Sequence, residues 1–272
     1  MSRRLVVAIA ALVLVASATA AERSRLAAHR GGAAVWPENS LTAFRGAIVL
    51  GVDALEFDVH LTADGEPVVI HDATLDRTTT GHGPVRSLTL ARLQAVRLLD
   101  RSGAPFTETV PTLAQVLELA RPTSLAVLPE IKLDLARVPY PDIESRVVGL
   151  LRAHALVARA SVQSFDDGTL KRVRALEPAL RTMLLVNRVR MTTYASTPAD
   201  PVRWAVDVGA ADLGIDFRLI DARLVAAARA AGVRLAAWTV NTDEDLRRMA
   251  ALGVDLIMSD RPDRARQLLV QP

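Results

Sequence analysis

Short apolar runs alternate with longer amphipathic ones along most of this chain, and that alternation narrows the possible folds more than any single motif. The strand-like runs are 26–29, 54–59, 67–70, 124–131, 161–165, 182–186, 213–216, 235–240 and 256–258. Between most of them, apolar residues recur at three- and four-residue spacing over 41–50, 113–120, 143–153, 169–176, 222–231, 244–252 and 262–269, which predicts helices. Thr242-Asp243 and Ser259-Asp260 suit helix starts, with Pro262 just inside the last helix. Gly51, Gly232 and Gly253 each follow a helix, where a positive φ is wanted. Such alternation builds a parallel sheet. A chain of 272 residues suits one closed barrel of roughly 250 residues. The expected fold class is α/β, a single (β/α)8 TIM barrel. There is one strand-like run too many for eight places. Asp64-Gly65 is a hairpin signal, so 67–70 is the suspect, either a barrel strand or a ribbon at the mouth. An open doubly wound sheet is less consistent, because no Gly-rich phosphate loop follows the first strand.

The first residues belong to export rather than to the fold. Arg3 and Arg4 precede an apolar run over 5–16, and Ala18-Thr19-Ala20 is a small-x-small cleavage site. Residues 1–20 therefore read as a signal peptide and 21–272 as one domain, exported to the periplasm or the medium. No stable membrane insertion is expected after cleavage. The chain carries 33 Lys+Arg and 30 Asp+Glu, and losing Arg3 and Arg4 leaves 31 against 30. A net charge of +1 gives no reason to expect nucleic acid. With no Cys, disulfides and thiolate metal sites are excluded.

In a parallel barrel, functional side chains stand at the C-terminal ends of the strands. The first strand runs into His29-Arg30-Gly31-Gly32, an arginine suited to phosphate beside glycines that allow close backbone approach. In Leu55-Glu56-Phe57-Asp58-Val59, alternation turns both acids to one face. The apolar residues face the helices, so the acids point inward. Paired inward carboxylates repel and resist desolvation unless a cation joins them. An all-oxygen set favours a hard ion, Ca²⁺ or Mg²⁺. The third run ends in His71-Asp72, and His29 with His71 suggests an acid–base pair. His60, His82 and His154 are less well placed for that work. In Pro129-Glu130-Ile131-Lys132, Glu130 and Lys132 share a face, as a third carboxylate and a point charge for phosphoryl oxygen. The lesser alternative for that pair is an internal Glu–Lys salt bridge. Trp238 is either an apolar wall beside the substrate or barrel core. Ser259-Asp260-Arg261-Pro262 reads as mostly structural, capping the last helix.

These residues together resemble the glycerophosphodiester phosphodiesterase family. The matching blocks are HRGG…WPENS at 29–40, GVDALEFDVHLTADGEPVVIHDATLDRTTTGHGPV at 51–85, VPTLAQVLELA at 110–120, PEIK at 129–132, QSFD at 163–166 and AWTVNTDEDLRRMAALGVDLIMSDRPD at 237–263. The resemblance implies a barrel with one divalent cation. It implies His29 and His71 as general acid and base, and Glu56, Asp58 and Glu130 as metal ligands. Arg30 and Lys132 would contact phosphate, and Trp238 would wall the glycerol. Glu38, in the PEN motif, would support the site from behind. The implied reaction is metal-dependent hydrolysis of a small glycerophosphodiester to glycerol 3-phosphate and an alcohol. Two rivals are weighed. One is a phospholipase D-like barrel acting on lysophospholipid or sphingomyelin, which calls for an apolar loop beside the mouth, and 189–201 is too mixed to supply it. The other is a non-catalytic barrel that binds a phosphorylated ligand. It should have lost a histidine or an acid, and none is lost. Residues 187–201 read as a loop facing the substrate.

Overall fold

The computed structural model describes residues 23–270; the expected signal peptide lies outside them. Its strands are β1 Arg25–Ala28, β2 Ala54–Leu61, β3 Pro67–Val69, β4 Arg97–Leu99, β5 Pro105–Thr109, β6 Ala126–Ile131, β7 Ser161–Ser164, β8 Arg181–Val186, β9 Asp212–Asp216, β10 Arg234–Trp238 and β11 Leu256–Ser259. The main sheet has nine strands in the order β1-β11-β10-β9-β8-β7-β6-β2-β3, and a further β1–β2 pairing closes it. Every pairing in the ring is parallel except that of β3, which runs antiparallel beside β2. Setting β3 aside leaves the eight strands of a (β/α)8 barrel. The surplus run at 67–70 is therefore the return arm of the Asp64-Gly65 hairpin, with Gly65 at φ +80°.

Each barrel strand sorts its side chains by alternation. On β2, Leu55, Phe57, Val59 and Leu61 join the core under the helices, where Phe57 meets Phe44 edge-on at 5.7 Å. Burying such a side chain contributes about 1.5–3 kcal/mol. Inside the barrel the floor is small and apolar, made of Ala27, Ala54, Leu128, Met183, Leu185, Ala236 and Met258. Gly214 belongs there for a steric reason, since a Cβ at that position would meet Leu185 at 2.6 Å and Met183 at 2.9 Å. Between β3 and β6 the chain makes an excursion that includes the β4–β5 ribbon, closed over its own cluster of Val68, Ile70, Leu75, Val85, Leu93, Leu98 and Val110.

Several helix ends follow local chemistry. Ser40 caps helix Leu41–Leu50, and Thr112 with Gln115 forms a capping box on Leu113–Ala120. Gly51, Gly232 and Gly253 have φ of +76°, +68° and +71°. Residues 187–201 do not form the expected loop. They contain helix Arg188–Tyr194 and the start of helix Asp200–Val208. Tertiary contacts hold this stretch, because Arg190 bonds Asp167 at 2.7 and 3.0 Å and lies over the Trp204 ring at 4.9 Å.

The N-terminal end of the barrel opens on a cavity of about 1030 Å³ bordered by arginines. It is larger than the cavity beside the histidines and lies away from them, so size does not mark the chemistry here. Its arginines serve the fold. Arg159 bonds the carbonyls of Arg121, Thr123 and Leu125 between a helix end and β6, and Arg229 bonds that of Gly253 at another helix end. Asp212 is the hub. Buried at 2% exposure, it accepts hydrogen bonds from Arg181, Arg234 and Ser161. Burial alone would raise its pKa, but the hydrogen bonds and charges of Arg234 and Arg181 hold it below the usual 3.8. A depressed carboxylate stabilises the fold above its unfolded pKa, and that contribution is lost as pH falls through the native value. D212N should cost about 2–3 kcal/mol at neutral pH. That is less than the ~3–5 of a fully buried pair, because both guanidiniums stay half hydrated. Unfolding curves taken from neutral pH into acid would check this. The gap between native protein and D212N should narrow in acid, and a gap that ignores pH would refute the account.

Candidate active site

The C-terminal end of the barrel holds a smaller cavity, about 120 Å³, lined by His29, Arg30, Glu56, His71, Glu130, Lys132, Gln163, Phe165, Leu185, Trp238, Thr239 and Met258. Of the eight candidate residues named from the sequence, seven are in that lining and Asp58 stands directly behind it.

Strand register builds the acidic floor. Asp58 pairs in register with Glu130 on β6, and Glu130 with Gln163 on β7, so the three lie in one layer across neighbouring strands. Oxygens of Glu56, Asp58 and Glu130 lie within 4.8 Å of one another, and all three residues are buried. Burial pushes Glu56 up to about 7, with Asp58 and Glu130 adding to the rise and His29 opposing it. Glu130 is raised too, by burial first. Asp58 goes the other way, because the charges of Lys132 and Arg30 overcome its burial. Lys132 Nζ lies 2.8 Å from Glu130 Oε1 and 3.0 Å from Asp58 Oδ1. It forms the salt bridge considered above, and to two carboxylates. Even so, Asp58 Oδ1 is buried without a well-directed hydrogen bond. Three converging carboxylates with an oxygen left unbonded fit a hard divalent cation.

The two histidines are prepared alike. His29 Nδ1 lies 2.6 Å from Asp260 Oδ1, and His71 Nδ1 lies 2.6 Å from Asp72 Oδ1. A carboxylate only accepts, so each Nδ1 carries the proton. Among the described residues, nothing hydrogen-bonds either Nε2; the nearest approach is Glu56, 3.9 Å from His29. Burial would lower the His29 pKa, but Glu56 and Asp260 raise it overall. Burial lowers that of His71. Asp260 thus does more than cap the last helix, as the sequence reading had it. It orients His29 and is itself held by Asn241 at 2.7 Å. Its signal was invisible locally, since 231 positions separate the two residues. Asp72 stands next to His71 and was findable from that adjacency.

Arg30 enters through its backbone as well as its side chain. Its φ is +52°, its N–H donates to Glu56 at 2.8 Å, and its Nη1 donates to Glu38 at 3.1 Å. The left-handed turn continues through Gly31 (φ +78°), where a Cβ would lie 2.7 Å from that of Ala43. Asn39 donates to Asp58 at 2.9 Å. His60, fully buried, shares the parity of Glu56 and Asp58 but lies past the cavity at the strand exit. Burial pushes it down to about 4. Neutral, it accepts from the Tyr140 hydroxyl at 2.8 Å and donates to the His71 carbonyl at 3.1 Å. His82 is exposed, and His154 bonds the Leu150 carbonyl at the end of helix Ile143–Ala153. Trp238 is shared between the cavity and the core. It lines the cavity, meets Phe165 edge-on at 5.7 Å, and packs on the barrel floor.

The profile of the glycerophosphoryl diester phosphodiesterase family matches residues 29–264. A glycerophosphodiester phosphodiesterase of Caldanaerobacter subterraneus subsp. tengcongensis is 36% identical over 237 residues, covering 87% of this chain and 93% of the relative. One from Bacillus altitudinis is 34% identical, covering 89% and 96%. Among solved structures, an Oleispira antarctica phosphodiesterase in complex with the product sn-glycerol-3-phosphate superposes with a TM-score of 0.77 at 26% identity, covering 92% of this chain and 98% of that one. With the closed barrel and the converging acids and histidines, these likenesses have one reading: the chain is an enzyme and belongs to the glycerophosphoryl diester phosphodiesterase family.

Proposed function

We propose that the protein hydrolyses glycerophosphodiesters to glycerol 3-phosphate and an alcohol, with a divalent cation and a pair of histidines. The observation that carries this reading is the shared preparation of His29 and His71, each with Nδ1 tied to a carboxylate and Nε2 free beside the acidic floor. One Nε2 takes a proton from the attacking oxygen, which is either water or the glycerol 2-hydroxyl whose cyclic phosphate water then opens, and the other gives a proton to the leaving alcohol. Glu56, Asp58 and Glu130 would hold the cation, Ca²⁺ or Mg²⁺. Bound there, it supplies Lewis-acid neutralisation of a phosphoryl oxygen. Arg30 and Lys132 bind the other non-bridging oxygen and stabilise charge that grows in the transition state. Trp238 and Phe165 exclude water from the glycerol side. Export to the periplasm or medium, read from residues 1–20, belongs to the same proposal, and no described helix is long and apolar enough to cross a membrane.

A lysophospholipid substrate is the second reading, and one observation favours it. Exposed apolar residues follow three adjacent strands, namely Leu135 and Val138 after β6, Phe165 after β7, and Val189 and Tyr194 after β8. The apolar rim that 189–201 alone did not supply is thus spread over the segments that follow three strands. The test is release of glycerol 3-phosphate from glycerophosphocholine by residues 21–272, with Ca²⁺, Mg²⁺ or EDTA, run beside lysophosphatidylcholine. Metal-dependent release from glycerophosphocholine is expected. Turnover of the lysolipid alone would move the second reading to the front.

A further inference from the structure

The excursion between β3 and β6 contributes more than His71. Arg77, in the loop after β3, spans two carboxylates. Its Nε and Nη2 donate to Asp72 at 2.7 and 3.1 Å, and its Nη1 and Nη2 donate to Glu38, both at 2.8 Å. Asp72 is the carboxylate on His71 Nδ1. Glu38 is the carboxylate on the Arg30 guanidinium. One residue outside the cavity lining therefore joins the supports of two residues inside it.

We propose that Arg77 is a positioning residue that sets His71 and Arg30 in a single geometry through Asp72 and Glu38. The proposal rests on the reading above, in which His71 moves a proton and Arg30 binds the phosphodiester. A planar fork can address both carboxylates at once, whereas an ammonium is a point charge. The fork has a firm base. Leu75, two residues before it, is buried in the excursion's own cluster, and Thr79, two residues after it, bridges to Leu98. Arg77 itself is 48% exposed. Exposed ion pairs add little to stability, so geometry at the cavity explains this arrangement better than stability does. The clamp also separates two sources of charge. Glu38 lies beside both Arg30 and Arg77, so Arg77 draws off part of a carboxylate that would otherwise be committed to the phosphate-facing guanidinium.

The test is steady-state kinetics of R77M and R77K on glycerophosphocholine with the preferred metal, together with H71A and H71A/R77M. R77M should keep its melting temperature within a few degrees. It should lose about 10–100-fold in kcat, the usual range when a group supporting an active-site side chain is removed, and its KM should rise as Arg30 loosens. R77K should retain most of the defect. In the H71A background, R77M should cost much less in kcat than in the native background, because its target is gone. Equal losses in both backgrounds, or R77K at native rates, would overturn the proposal. Inactive native protein would instead count against the function proposed above, which keeps the two failures distinct.

Discussion

Replacing His29 or His71 with Ala should lower turnover by about 10²–10⁴-fold, the range for a group that moves a proton in the transition state. The fold should survive both changes, because each ring borders a cavity and neither belongs to the apolar core. Each substitution also leaves a carboxylate without its histidine, Asp260 in one case and Asp72 in the other. Those carboxylates are part-exposed and keep a second partner, Asn241 and Arg77 respectively, so neither is stranded. The double variant should cost little more than the worse single one, since groups that act as a unit are not additive. Turnover at saturating glycerophosphocholine with metal present is the measurement. Near-native rates in both single variants would remove the histidine pair from the mechanism.

How much was legible depends on how far apart the interacting residues lie. The ends of helices Leu41–Leu50, Leu113–Ala120 and Ile143–Ala153 are as the periodicity predicts. For the first, both determinants, Ser40 and Gly51, flank the helix in sequence. The inward acids were legible because Glu56 and Asp58 interrupt the otherwise apolar run 54–59, and strand parity does the rest. The ribbon of β4 and β5 was not, because its strands are short and largely exposed and are aligned by pairing with Thr79. Helix Arg188–Tyr194 has a mixed pattern, and its order comes from Asp167, the first residue of helix Asp167–Leu176. The same logic covers the site. His29 and His71 announce themselves at strand ends, but Asp260 on His29 and Arg77 on Glu38 are partners that only closure of the barrel supplies.

Closure also creates the site's electrostatic tension, and E130Q should expose it. Without metal, three buried carboxylates converge on a single lysine and the arginine behind it. Glu130 has a raised pKa, by burial first and then by Asp58. A carboxyl whose native pKa lies above its unfolded value stabilises the fold below the unfolded value, and that advantage is lost as pH rises through the native one. At neutral pH its charge therefore costs stability, so in EDTA E130Q should melt no lower than native protein. Its Oε1 can still accept from Lys132. Metal should invert the order. A ligand that binds only the folded state adds about 2.7 kcal/mol at a hundred times its Kd, several degrees in Tm for a chain of this size. Native protein should show that rise with Ca²⁺ or Mg²⁺ and lose it in EDTA. E130Q should show little of it and should turn over far more slowly. Melting curves with and without metal decide the matter without recourse to activity. An E130Q that gains as much from metal as native protein would take Glu130 out of the ligand set. The cation would then rest on Glu56 and Asp58, and the pairing of Glu130 with Lys132 would be a salt bridge and nothing more.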